Sequence, residues 1–206
     1  MKSPTLYLAS ASPRRKELLT RAGLKFQIVR PDIPEKMRPH EAPKAFAKRM
    51  AIEKATAAKN LISRSDCLIL AADTIVVSMN GAITLGKPAD LVDAQRMLRQ
   101  IQGKRHKVYT SYAIFLYQAG KLVKKHTRTV CSTVQIRKLN SAEITRYLLC
   151  GESLDKAGAY AAQGYGAALI QEIKGSYTNV VGLPLCQVLT DLDRIFKVRF
   201  LGEKAR

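Results

Sequence analysis

A chain of 206 residues, 47% hydrophobic and 25% charged, can bury a sizeable core and has the composition of an ordinary globular protein. No stretch approaches the roughly 18 apolar residues of a membrane-spanning helix, and Met1-Lys2-Ser3-Pro4 runs into a strand-like segment without a signal peptide's apolar region, so no spanning helix is expected and the cytoplasm is the expected compartment. Thirty-five Lys and Arg against sixteen Asp and Glu give a net charge of +19, a field that attracts phosphates of any kind without naming the partner.

In chain order, a short strand over residues 5–9 leads through a loop to a helix that Ser12 caps, Pro13 begins and Gly23 ends. Residues 26–29 read as a second strand. A proline-rich loop follows over 30–43, long enough to be a working loop, and then a helix over 44–61. Residues 67–72 form a buried strand that continues past Asp73 over 75–79. Asn80-Gly81 signals a hairpin turn whose return strand covers 82–85. Asp90 caps a helix with Ala94, Met97, Leu98 and Ile101 on one face, ended by Gly103. Two long strands, 108–117 and 121–137, flank Ala119-Gly120. A helix from Ser141 stops before Gly151, residues 167–173 are a strand, and Pro184 starts a last helix with Leu185, Leu189 and Leu192 inward. Strand–helix units combined with hairpins predict an α/β protein with a mixed sheet, residues 1–206 forming a single domain.

Four segments could carry chemistry. In Ser10-Ala11-Ser12-Pro13-Arg14-Arg15, two arginines occupy a helix's first turn, where their charge opposes the dipole. A bound anion would resolve that conflict, with serine hydroxyls and arginine forks as its ligands; a capped surface helix with solvated arginines has the same spacing. In Leu70-Ala71-Ala72-Asp73-Thr74, Asp73 interrupts an apolar run. A carboxylate there needs a partner, a metal ion or a catalytic role, or else it is a bulge satisfied by backbone donors. Lys87, between Gly86 and Pro88, is a restrained point charge, and Lys54 is a helix lysine that could equally lie on a solvated face. The segment 154–164 is rich in small residues and ends on Gln163-Gly164, whose amide can read a base edge. Residues 175–184 form a similar glycine-rich corner.

Other chemistries fit poorly. The chain contains no G-x-x-x-x-G-K-[ST], no G-x-G-x-x-G after the first strand and no G-x-S-x-G. His40, His106 and His126 are scattered and read as structural or exposed. Cys67, Cys131, Cys150 and Cys186 are far apart, without C-x-x-C, and are expected as buried reduced thiols rather than zinc ligands.

Taken together, Leu8-Ala9-Ser10-Ala11-Ser12-Pro13-Arg14-Arg15, Ala72-Asp73-Thr74, Gly86-Lys87-Pro88, Asp155-Lys156-Ala157-Gly158-Ala159-Tyr160, Gln163-Gly164 and Val181-Gly182-Leu183-Pro184 resemble the Maf family of nucleotide pyrophosphatases, in the family's order and over nearly the whole chain. The resemblance implies an elongated α/β fold, shared with inosine-triphosphate pyrophosphatases, with a central mixed sheet flanked by helices and a cleft between two lobes. It implies cleavage between the α- and β-phosphates of a nucleoside triphosphate with Mg²⁺ or Mn²⁺. By position, Asp73 looks like the catalytic base and a metal ligand. Arg14, Thr74 and Gln163 look like the residues that set substrate preference, and Ser10, Arg15, Lys54 and Lys87 look like phosphate binders. Glu35 looks like a further metal or water-positioning carboxylate, with Asp32 as its competitor. Arg14, Thr74 and Gln163 together match the branch that prefers dTTP and UTP over the one that prefers 7-methyl-GTP. Ser153, where the family often has proline, is the one departure and bears on local loop shape. A homodimer is compatible with this resemblance, and neither a membrane nor a nucleic acid is the expected partner. A nucleic-acid-binding module without turnover and a nucleotidyltransferase are the rival classes.

Overall fold

The computed structural model describes residues 4–199. Its strands are β1 (Thr5–Ala9), β2 (Gln27–Val29), β3 (Cys67–Ser78), β4 (Thr84–Leu85), β5 (Arg105–Gln118), β6 (Lys121–Ile136) and β7 (Ile170–Lys174). The helices are α1 (Pro13–Arg21), α2 (Pro43–Lys59), α3 (Leu91–Ile101), α4 (Ser141–Leu149), α5 (Tyr177–Val181) and α6 (Leu185–Phe196). The strands form one sheet in the order β2-β1-β3-β5-β6-β7, with β4 on β3. Its β1–β2 and β1–β3 pairs are parallel and its β3–β4 and β6–β7 pairs antiparallel, so the mixed α/β fold expected from the sequence is present.

The chain divides into two compact units. Among the described residues, one comprises 4–73, 111–129 and 182–199, and the other 74–110 and 130–181. The core of the first is built from β1, β3 and β5 side chains against a strip of small residues on α2, with Ala51, Ala55 and Ala58 fully or almost fully buried. Alanines at this helical spacing let α2 approach the sheet closely. The core of the second joins Ala94, Met97, Leu98 and Ile101 of α3 to Ile144, Tyr147 and Leu148 of α4 and to Val134 and Ile136 of β6.

Local signals explain most boundaries. Asp90 caps α3 by accepting the Asp93 N–H at 2.8 Å. Asn140 and Glu143 form a reciprocal capping box at the start of α4. The structure also corrects several expectations. Only Cys67 is buried; Cys131, Cys150 and Cys186 are exposed, because they fall on the open stretch of β6, at the end of α4 and on the outer side of α6's first turn. The strand expected over 167–173 begins only at Ile170, since a 3₁₀ turn (Gly164–Leu169) occupies the preceding residues. The return strand expected over 82–85 shrinks to two residues. Leu185 is half-buried, and Val188, Leu189, Leu192 and Phe196 carry the inner face of α6. Among the described residues, no helix is long and apolar enough to cross a membrane.

His106 is a buried histidine in the second unit, 1% exposed, with Nε2 2.8 Å from the Tyr160 hydroxyl. Its Nδ1 has no partner among the described residues. Burial lowers its pKa from 6.5 to about 4. Between those values the unfolded chain takes up a proton that the folded chain refuses, so stability falls as pH drops through that window. The full loss is about 3 kcal/mol. A pH series of melting temperatures is expected to show this slope, and His106→Asn to flatten it. An unchanged slope in the variant would assign it to another group.

Candidate active site

The first unit holds six of the sequence-predicted residues, Ser10, Arg14, Arg15, Glu35, Lys54 and Asp73. Ser10 follows β1 directly and is buried, with its Oγ accepting the Ser12 N–H at 3.2 Å and Arg15 Nη1 at 3.1 Å. Ser12 caps α1 through the Arg15 N–H at 3.5 Å. No acidic residue stands in the first turn, so the charge conflict read from the sequence is real. Arg15 resolves its part of it by turning inward. Its Nε donates to the Gly182 carbonyl and its Nη1 to the Ala72 carbonyl, each at 2.8 Å. Burial lowers the Arg15 pKa, Arg14 acts the same way, and Asp73 and Glu35 oppose both. A guanidinium keeps its charge under such a shift. Arg14 is half-buried on the same turn. An open hollow at this helix start is lined by Ser10, Ser12, Lys16 and Arg30 among others.

Asp73 lies inside the unbroken strand β3, 5% exposed, rather than at a strand end. What allows a carboxylate there is Lys54. The buried stripe of α2 runs Ala47, Met50, Ala51, Lys54, Ala55, Ala58, and Lys54 occupies a position in it. Its ammonium stands 2.7 Å from Asp73 Oδ1 and 2.7 Å from Glu35 Oε1. One buried cation thus bridges two carboxylates, one from the sheet and one from the long loop, and Glu35 rather than the exposed Asp32 takes this place.

The loop bearing Glu35 is fastened to α2 by Arg49. Its Nε and Nη2 hold Glu41 at 2.7 and 2.6 Å, and Nη2 also donates to the Lys36 carbonyl at 2.9 Å. The Arg49 hydrogen bonds pull the Glu41 pKa down from 4.5 to about 2. Sequence reading missed this clamp. Its only local signal was Arg49 and Glu53 four residues apart, one turn on the same helix.

The second unit holds Thr74, Lys87 and Gln163. The Thr74 and Thr110 hydroxyls are 2.9 Å apart, and Thr110 donates to the Asn179 carbonyl at 2.9 Å, so Thr74 is the donor of that pair. Asn179 is fully buried and its amide donates to the Val108 carbonyl and to Ser132 Oγ. Lys87 is exposed, on a turn whose Gly86 carbonyl accepts the Gly158 N–H at 3.0 Å. Gly158 has φ +73°, and a Cβ there would meet Val76 at 3.2 Å, so the glycine-rich segment needs glycine for both conformation and space. Gln163 is half-buried, just before the 3₁₀ turn, and its side chain does not cap that turn. Thr110 and Asn179, invisible as site residues in the sequence, are the supports of Thr74.

A mixed α/β sheet carrying a lysine-bridged carboxylate pair beside a serine- and arginine-bearing helix start defines a class of enzymes acting on anionic, phosphate-bearing substrates. The chain belongs to the Maf-like family, whose model, described as "Maf-like protein", matches residues 5–195. It is 47% identical over 195 residues to a dTTP/UTP pyrophosphatase of Geobacter sulfurreducens, covering 95% of this chain and 98% of that one. It is 48% identical over 188 residues to a dTTP/UTP pyrophosphatase of Geobacter metallireducens, covering 91% and 94% of the two chains. Among solved structures, that of a HAM1 protein from Coxiella burnetii aligns with a TM-score of 0.52 and 16% identity, over 92% of this chain and 98% of that one, a likeness of fold.

Proposed function

We propose that this chain hydrolyses nucleoside triphosphates, dTTP and UTP foremost, to the nucleoside monophosphate and pyrophosphate, with residues 1–206 acting as one catalytic domain. The observation that carries this reading is the Lys54 ammonium held 2.7 Å from both Asp73 and Glu35, in a family whose relatives include dTTP/UTP pyrophosphatases. Asp73 is the general base: it takes a proton from the water whose oxygen attacks the α-phosphorus, and the bond from that phosphorus to the bridging oxygen breaks as pyrophosphate leaves. Lys54, coming from a packed helix, fixes the carboxylate's orientation before substrate arrives, and such preorganisation is where this type of catalysis gains most. Ser10, already accepting two hydrogen bonds, has its own proton to donate to a phosphate oxygen. Lys87 adds a point charge. Arg15 supports this set by holding Ser10 and the carbonyl that precedes Asp73.

The residues also suit a divalent cation. Asp73 and Glu35 are hard oxygen donors on either side of one ammonium, and among the described residues no cluster of three or more His, Cys, Asp or Glu competes. Mg²⁺ and Mn²⁺ favour oxygen donors, and Mg²⁺ characteristically takes one or two carboxylates, leaving its other positions to water and substrate phosphates. Asp73 and Glu35 would hold it, and when bound it would neutralise charge on the phosphates.

Base preference is assigned to Arg14, Thr74 and Gln163. Gln163→Ala is expected to relax selectivity more than it slows the best substrate, measured as relative kcat/KM over dTTP, UTP, CTP, GTP and 7-methyl-GTP. The wild type should favour dTTP and UTP. A wild-type preference for 7-methyl-GTP would overturn the substrate assignment, and unchanged relative rates in the variant would remove Gln163 from it.

A further inference from the structure

The loop that carries Gln163 is held by side chains with no assigned role. Glu152, just after α4, reaches across to the start of the 3₁₀ turn. Its Oε1 accepts the Tyr165 N–H and its Oε2 the Gly166 N–H, both at 3.0 Å. Two successive backbone donors at a helical N-terminus are bound by the two oxygens of one carboxylate, a geometry that fixes orientation as well as position. On the other side of Gln163, the Tyr147 hydroxyl accepts the Ala161 N–H at 3.0 Å and the Tyr177 hydroxyl donates to the Ala162 carbonyl at 3.2 Å.

The glycines show how close this seat is. A Cβ at Gly164 would lie 2.0 Å from Glu152 Oε1, and the residue has φ +64°. A Cβ at Gly166 would lie 2.2 Å from the Ala161 carbonyl oxygen. Both glycines of Gln163-Gly164-Tyr165-Gly166 therefore serve the approach of the loop to its clamps. A half-buried carboxylate spent on backbone N–H groups next to a single amide is more than a surface turn requires.

We infer that Glu152 is a positioning residue for Gln163: it locks the backbone on the C-terminal side of that residue so that the amide meets the base in one orientation. The inference rests on the reading that Gln163 contacts the base. It predicts a selectivity effect rather than a uniform loss, because an amide that wanders by about an ångström still binds but no longer discriminates.

The test is a double-mutant cycle read as the ratio of kcat/KM for dTTP to that for CTP, with KM and kcat separated. Glu152→Ala is expected to lower that ratio about tenfold, with KM for dTTP rising more than kcat falls. Glu152→Gln keeps one acceptor oxygen and should fall between, and it carries the test if the alanine variant does not fold. In a Gln163→Ala background, the Glu152 substitutions should change the ratio no further, since the group they orient is gone. A wild-type ratio in both Glu152 variants overturns the inference and leaves the role of Gln163 standing. An undiminished effect of Glu152 substitution in the Gln163→Ala background also overturns it. An unchanged ratio in Gln163→Ala alone overturns the reading beneath it, and the inference with it.

Discussion

Asp73→Asn is expected to lower kcat for dTTP and UTP by about 10²–10⁴, the range for a lost general base, while the protein keeps its fold. Asparagine fills the same space inside β3 and still presents an oxygen to Lys54, which retains Glu35 as its charged partner. What is lost is the basic lone pair. Because proton transfer belongs to the transition state, kcat and kcat/KM should fall together and KM should move little. Steady-state kinetics beside a melting curve separate this from damage to the core. Near-normal turnover would take Asp73 out of the mechanism, and a large KM rise with intact kcat would make it a binding group instead.

Arg15 is the second large effect, and it falls on stability first. The guanidinium is buried and donates to two carbonyls, those of Ala72 and Gly182, as well as to Ser10. Arg15→Met leaves both carbonyls without that partner and is expected to cost about 3–5 kcal/mol, roughly 10 °C of melting temperature in a chain of this size. Arg15→Lys should recover little, since one ammonium does not span the positions that the planar fork reaches. Denaturant titration of both variants checks this. Wild-type stability with a raised KM would return Arg15 to the role of a direct phosphate ligand, as its motif first implied.

The difference between those two residues marks what the sequence makes legible. Asp73 stands out because it breaks an apolar run, a local fact, and the structure places it buried on β3 with a cationic partner. Arg15 sits in an equally visible motif and meets Ser10 within it, but its two carbonyl partners lie 57 and 167 residues away, and nothing local announces them. Lys54 falls between the two. As a lone helix lysine it resembles a solvated residue, yet the stripe Ala47, Met50, Ala51, Lys54, Ala55, Ala58 has core periodicity and puts it inside. The supports were the least legible part. Glu152, Arg49 and Asn179 act on backbone groups or distant residues, and a residue that binds backbone leaves no pattern in the identities of its partners. In the fold, helix caps and the strand–helix order were readable, while the 3₁₀ turn before β7 was not, because Gly164 and Gly166 owe their presence to tertiary closeness rather than to a turn type.

In the proposed reaction water attacks the α-phosphorus. Running the reaction of UTP in H₂¹⁸O, with Mg²⁺ and no other acceptor, and weighing the products by mass spectrometry tests it directly. One ¹⁸O is expected in UMP and none in pyrophosphate. Label in pyrophosphate would place the attack on the β-phosphorus, release of orthophosphate would mean cleavage at the wrong anhydride, and no reaction without an added acceptor would mark a transferase; each contradicts it.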